Sequence, residues 1–398
     1  MSHVCSPMTK PPLRDLLCVI DDLLLYEETR KVANGDRSYS SHRSHASYPL
    51  LHTPLTRYNA ERLRSTVIWI RGPSVKVQCE LCPKMCIVGP GQSGECRVRV
   101  NVDGVLRSVV YGFPCSMTAD DPVEKKPVFH FLPGTKILSL ATVGCNLHCK
   151  NCQNWEISQA NPEASRAFAC PPEKVIALAK QYNRPSIAYT YTEPIVYYEY
   201  THDTARLAHE AGIRNVLVTA GYVNEDPWRK LLQYVDAVRI DLKSMSEAFY
   251  RDVCSATLKP VQNALVVAKS MGVHVEVINL VIPTLNDGPE DLRDLSHWVC
   301  ANLGKETPVH FNGFSPIYQM RHLPPTSLQT LEAARDIATS EGLEYVYIGN
   351  RQSEKGENTY CPECRKLLIQ RVGYTVMQNR LADGCCPDCG RAIHGVWK

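Results

Sequence analysis

The sequence predicts an α/β protein. Its core is a partial, TIM-like (β/α)6 barrel, with a cysteine-rich domain ahead of it and a zinc-ribbon-like segment behind it. Three features predict this. Apolar runs of strand length alternate with helix-period runs between residues 136 and 352. A cysteine-dense stretch with short β-like runs precedes them, and two CPxC turns follow them. The expected division is an N-terminal extension and linker (1–65), a cysteine-rich domain (66–135), the barrel (136–352) and the ribbon (353–398).

Strands are expected at 137–143, 186–192, 215–220, 237–242, 274–282, 309–314 and 345–348. Helical periodicity lies between them, for example at 172–182, 196–211, 258–271 and 327–341. Repeated strand–helix units imply a parallel sheet with right-handed crossovers. Six or seven units point to a partial barrel, and a doubly wound open sheet stays open on pattern alone. In a barrel, the chemistry sits at the C-terminal ends of the strands. The β-like run at 105–110 belongs to the segment before the barrel. Residues 13–26 could form one amphipathic helix, and 34–52 read as a linker. A ribbon this short needs a metal to hold it together.

The 398 residues carry a net charge of +3, which gives no electrostatic reason to expect nucleic acid or an anionic membrane as partner. No run reaches the ~18 apolar residues of a membrane span. Cysteine stands out, because eleven of the 18 fall in three tight clusters. The chain opens with no secretory signal pattern, so a cytoplasmic location and metal binding, rather than disulfides, are expected.

The central cluster is Cys145-x3-Cys149-x2-Cys152, directly after an apolar strand. Three thiolates can hold three irons of a 4Fe-4S cubane and leave the fourth iron open. An open iron can chelate the amino and carboxylate groups of S-adenosylmethionine, whose reductive cleavage gives a 5′-deoxyadenosyl radical. The alternatives are a zinc site completed by His148 and a turn with free thiols. His148 lies inside the loop, which makes a closed tetrahedron awkward.

This motif resembles the signature of the radical S-adenosylmethionine superfamily. The runs DPVEKKP at 121–127, HFLPG at 130–134, GCN at 144–146 and CQNWEIS at 152–158 look like the AmmeMemoRadiSam-system radical enzymes. So do YTEP at 191–194, DLK at 241–243 and NTYCP at 358–362. That branch is similar to pyruvate formate-lyase activating enzymes. The resemblance spans about 75–398 and implies catalytic roles for Cys145, Cys149 and Cys152. It implies S-adenosylmethionine contacts by Thr192, Glu193, Thr219, Asp241, Lys243 and His310. Glu193 would accept from the ammonium, and Asp241 and Lys243 would meet the carboxylate and ribose region. Asn151, Asn312 and the Val218–Gly221 turn depart from the related patterns.

Cys361, Cys364, Cys386 and Cys389 form two CxxC pairs about twenty residues apart, which fits a closed structural site for zinc or iron. Cys79, Cys82, Cys86 and Cys96 are expected to hold a second metal, read as structural, with an auxiliary iron–sulfur cluster as the alternative. The expected function is reductive cleavage of S-adenosylmethionine, followed by hydrogen abstraction from an unidentified small-molecule or protein substrate. A flavodoxin- or ferredoxin-type electron donor is implied. A glycyl-radical activating enzyme is the alternative within that chemistry, and a non-catalytic zinc-binding module is the alternative outside it.

Overall fold

The computed structural model describes residues 76–354 and 356–398. The expected helix at 13–26, the linker at 34–52 and the rest of the 1–65 segment lie outside the described residues. Two hairpins open the described chain. β1 (Val77–Gln78) pairs antiparallel with β2 (Ile87–Val88), and β3 (Arg99–Val102) with β4 (Val105–Ser108). The second turn is Asp103-Gly104, with φ of 53° and 80°, the left-handed pair that two-residue hairpins favour.

All seven apolar runs of the barrel region form strands. β5 (Ser116–Pro122) runs antiparallel to β6 (Lys136–Ala141) and supplies an edge that periodicity did not reveal. From β6 onward the strands are parallel and alternate with helices. The order is α1 (Pro172–Gln181), β7 (Ser186–Tyr189), α2 (Tyr198–Glu210), β8 (Arg214–Thr219), α3 (Glu225–Leu232) and β9 (Ala237–Asp241). It continues through α4 (Leu258–Ser270), β10 (His274–Val281), α5 (Pro289–Leu303), β11 (Val309–Gly313), α6 (Leu328–Ser340) and β12 (Val346–Gly349). The spatial order β12-β11-β10-β9-β8-β7-β6-β5 leaves β5 and β12 unpaired with each other, so the sheet curves without closing. β7 and β11 are buried at every residue, as parallel strands covered by crossover helices should be.

Local signals set the helix starts. The Ser327 hydroxyl accepts from Thr330 N–H at 3.0 Å and caps α6. α5 begins with Pro289 at its first position and two acids behind it, which suits the positive end of a helix.

The base of the barrel is closed by residues 123–132. Val123, Val128, Phe131 and Leu132 pack under Ile137, Ala188, Val216 and Ala237. The Glu276 carboxylate fixes this plug. It accepts from Phe129 N (3.0 Å), His130 N (2.7 Å), His274 Nε2 (3.0 Å) and His310 Nε2 (2.6 Å). Burial alone would push Glu276 up, but these donors hold it well below the usual carboxylate range. Burial also lowers His310, against the pull of the Glu276 charge.

The ribbon docks on the plug. β13 (Thr359–Tyr360), β14 (Leu367–Val372) and β15 (Thr375–Asn379) form its sheet. The tail pairs with 130–132: Val396 N donates to His130 O and Leu132 N to Val396 O, both at 2.7 Å. Arg371 reaches from β14 into the seam, donates to Phe129 O at 2.8 Å and lies 3.6 Å from Glu124, with both side chains fully buried. The motif runs at 121–127 and 130–134 are therefore the joint between barrel and ribbon.

Two CPxC knuckles bring Cys361 Sγ to 3.6 Å from Cys389 Sγ, and Cys364 Sγ to 3.6 Å from Cys386 Sγ. All four sulfurs lie within 4.8 Å of one another. A metal with ~2.3 Å bonds to sulfur sets tetrahedral edges of about 3.8 Å, so this group can hold one ion. Each knuckle is followed by a left-handed residue, Arg365 (φ 62°) or Gly390 (φ 77°). No helix among the described residues is long and apolar enough to cross a membrane.

Replacing Arg371 with Met should strand Glu124 as a buried, uncompensated carboxylate, at a cost of about 3–5 kcal/mol. Adding Glu124→Gln to that variant should restore part of the loss. Thermal denaturation of the two variants checks this, and a single variant as stable as wild type would contradict it.

Candidate active site

The strand β6 delivers its chain to the upper rim, and Gly144 turns it inward. Gly144 has φ of 97°, and a Cβ there would lie 2.7 Å from Cys96 O and 2.6 Å from Val98. Only glycine satisfies both the left-handed backbone and the close approach. The loop carrying Cys145, Cys149 and Cys152 follows at once.

This loop is pinned along its length. Asn146 donates to Tyr222 O at 2.8 Å, and His148 N and Lys150 N donate to Cys254 O and Val253 O at 3.1 and 2.9 Å. Gln159 donates to Leu147 O at 3.1 Å. The Trp155 ring stacks on Tyr318 with centroids 5.0 Å apart. The thiols themselves are free and partly accessible. They lie close enough to couple electrostatically, and burial pushes Cys145 well up. A hydrogen bond from the buried Cys254 thiol brings Cys149 down to about 7. Unlike the ribbon cysteines, they are not gathered within 4.8 Å of one another. A site for one tetrahedral ion would require that tighter grouping. Three thiols on one loop are a donor set that fits three irons of a 4Fe-4S cluster.

Three further strand ends face this loop. After β7 the chain turns at Tyr191, whose φ is 66°, and presents Glu193. Glu193 is 2% exposed and accepts from Thr219 Oγ1 (2.6 Å), Ala220 N (2.8 Å) and Ile195 N (3.2 Å). Burial raises it to about 7, although these donors pull the other way. A carboxylate has about four acceptor positions, so roughly one is left for a ligand. Thr219 thus acts through Glu193, and Thr192 fixes the turn by donating to Thr142 O at 2.8 Å.

β9 ends in Asp241, and Lys243 follows on the same face. Lys243 Nζ donates to Asp241 Oδ2 at 2.8 Å, while Arg239 pairs with Asp241 Oδ1 at 2.5 Å. Asn279 and Asn286 hold the Lys243 carbonyl at 3.1 and 2.7 Å, which fixes its backbone. Lys243 couples to Cys149, and Asp241 to Glu193. The structure therefore gathers Cys145, Cys149, Cys152, Glu193, Thr219, Asp241 and Lys243 around one rim.

His310 is not part of that set. It hydrogen-bonds Glu276 and packs against Phe129 and Tyr347, within the network that ties the plug to the sheet. Its expected place beside the adenosyl group gives way to this buried role. Arg239 and Cys254 were not singled out in the sequence. An arginine inside the apolar run at 237–242 was the available signal, because a strand buried among helices admits a charge only with a partner. Cys254 had none, since its contact with Cys149 arises from tertiary packing. Asn151, which departs from the related patterns, is buried, and its Oδ1 has no hydrogen-bond partner.

Comparison with known proteins places the chain in a family. The family model described as the radical SAM superfamily matches residues 139–298. An uncharacterized protein of Methanocaldococcus jannaschii is 45% identical over 333 residues, covering 83% of this chain and 99% of that protein. A pyruvate formate-lyase-activating enzyme of Clostridium pasteurianum is 24% identical over 159 residues, covering 39% of this chain and 65% of that enzyme. Among solved structures, a domain of a pyruvate-formate lyase-activating enzyme from Bacteroides vulgatus has 16% identity and a TM-score of 0.36, covering 41% of this chain and 98% of that one. On the family match and the relative that aligns over its full length, the chain belongs to the radical SAM superfamily.

Proposed function

We propose that the protein binds S-adenosylmethionine at a 4Fe-4S cluster held by Cys145, Cys149 and Cys152 and cleaves it reductively. The observation that carries this reading is the joint placement of three spread thiols, a buried carboxylate and a lysine on one rim. A scaffold needs none of these in one place. When bound, the cluster supplies an open iron for the amino and carboxylate groups and the electron that breaks the sulfur–carbon bond, which yields a 5′-deoxyadenosyl radical for hydrogen abstraction.

The chain's own residues do the rest. Glu193 keeps an acceptor for an N–H of the amino group. Lys243 faces the carboxylate side, held by Asp241 and by the clamp on its backbone. Arg239 keeps Asp241 ionised inside the barrel; burial pushes Asp241 up, but Arg239 and Lys243 hold it below the usual range. Cys254 steadies Cys149 through its thiol. The electron comes from a reductant of the flavodoxin or ferredoxin class, and the hydrogen donor is a small molecule or a protein.

Anaerobically reconstituted, dithionite-reduced protein should convert S-adenosylmethionine to 5′-deoxyadenosine, whereas Cys149→Ala should form none. Chromatography of the products checks this, and equal yield from both proteins would overturn the reading.

Glu193 gives the pH dependence. Its folded value of about 7 lies above the ordinary 4.5. In the ligand-free protein it therefore contributes stability at low pH that is lost as pH rises through about 7. The N–H donors of an iron-bound amino group and the sulfonium charge of the ligand both favour the ionised carboxylate, so S-adenosylmethionine affinity should rise with pH across the same range. Glu193→Gln should bind more weakly, by about 1.5–3 kcal/mol for a lost charge-assisted bond, and show no such rise. Equilibrium binding from pH 6 to pH 8.5 checks the sign, and affinity that falls with pH in wild type would contradict it.

A further inference from the structure

The three cysteine groups of this chain differ in how far apart they hold their sulfurs, and the N-terminal group behaves like the central one. Cys79, Cys82, Cys86 and Cys96 all line one cavity of about 20 Å³, more than the ~10–15 Å³ that a single water needs. The β1–β2 hairpin positions three of them. Cys79 N donates to Cys86 O at 2.8 Å, and the turn between them closes by Met85 N to Cys82 O at 3.1 Å. Cys96 arrives from the other side, just ahead of β3. Gly94 lies between Cys86 and Cys96, its Cβ position 3.5 Å from Cys86 Sγ and 4.0 Å from Cys96 Sγ, an ordinary packing distance.

All four are free thiols, and Cys79 and Cys96 are buried. Among the described residues, only the ribbon cysteines gather as a group within 4.8 Å, so these four do not form the tetrahedron that a single zinc ion would impose. Two residues of the cavity lining also carry an unsatisfied polar atom. Asn146, 1% exposed, leaves Oδ1 unpaired, and Arg99, 3% exposed, leaves Nε unpaired. The other guanidinium nitrogens of Arg99 are taken by Glu199 at 2.8 and 2.7 Å.

The cavity adjoins the catalytic loop. Asn146 directly follows Cys145 and lines the cavity together with Cys82. The Cys96 carbonyl abuts Gly144, the residue before Cys145. On the opposite side, Met85 and Ile87, which flank Cys86, are 38% and 70% exposed. The group thus has one edge at solvent and the other against the site of the open cluster.

We propose that Cys79, Cys82, Cys86 and Cys96 hold a second 4Fe-4S cluster, ligated by four thiolates, which passes electrons to the cluster at Cys145. The relay role rests on the function proposed above; the cluster itself does not. The electron count is simple. A carrier of the flavodoxin or ferredoxin class gives up one electron and reduces the second cluster from 2+ to 1+. The second cluster returns to 2+ when the electron moves on, and no bond or proton changes place. Closure by four thiolates leaves it no open iron for S-adenosylmethionine.

The test is Mössbauer and EPR spectroscopy on the full chain reconstituted with iron-57 and sulfide. Wild type should hold about eight irons per chain, with half perturbed by S-adenosylmethionine and half indifferent to it. The triple variant Cys145→Ala, Cys149→Ala, Cys152→Ala should keep about four irons and a reduced signal that S-adenosylmethionine does not move. Cys82→Ala should lose the indifferent half, keep dithionite-driven cleavage and lose flavodoxin-driven cleavage. About four irons in wild type, all sensitive to S-adenosylmethionine, with two zinc ions per chain, would overturn the second cluster. Eight irons with flavodoxin-driven cleavage intact in Cys82→Ala would overturn the relay. Eight irons with no cleavage under any reductant would instead defeat the proposed function and leave the second cluster standing.

Discussion

A curved parallel sheet that does not close must still be sealed at one end, and here the seal depends on one buried carboxylate. Glu276 sits inside the sheet on β10 and takes four N–H donors, two from the plug backbone and two from imidazoles on β10 and β11. Its charge is tolerable because it is fully hydrogen-bonded. The plug so anchored carries the ribbon through Arg371 and the tail pairing. With the base occupied, the open end of the barrel at the C-terminal strand tips is left for ligand. That division, stability below and chemistry above, is how a parallel barrel separates its two duties.

Sulfur spacing is the second organising quantity. Three groups of cysteine in one chain look alike as text, yet the fold holds them differently. The ribbon closes its four into a tetrahedron of single-ion size. The central loop and the N-terminal hairpins do not gather theirs to that spacing. These two groups are neighbours, linked by Asn146 and by the contact of Cys96 with Gly144, while the compact group sits with the ribbon on the plug.

Much of this was legible in the sequence, because burial on both faces writes parallel strands as apolar runs. All seven runs became strands, and the helix at 258–271 was found at Leu258–Ser270. β5 escaped because its residues, SMTADDP, alternate with charges and read as loop. The ribbon metal set was legible because local CxxC spacing determines it. The strand-end positions of Glu193, Asp241 and Lys243 were legible because each follows an apolar run closely. His310 was misplaced because a strand histidine shows its register but not its partner, and its partner Glu276 lies on another strand. Cys254 and Arg239 depend on contacts between segments far apart in sequence, which no spacing records. The motif runs at 121–134 were recognised, yet their role as plug and joint appeared only once the ribbon had been placed against them.

The central claim is that the Cys145 loop leaves one iron open for S-adenosylmethionine beside Glu193 and Lys243. EPR spectroscopy of the reduced, reconstituted protein with and without S-adenosylmethionine addresses it most directly. The account predicts that S-adenosylmethionine shifts the g-values of one cluster signal, and that this response disappears in Cys149→Ala. A reduced cluster signal in wild type that stays identical when S-adenosylmethionine is added would contradict it.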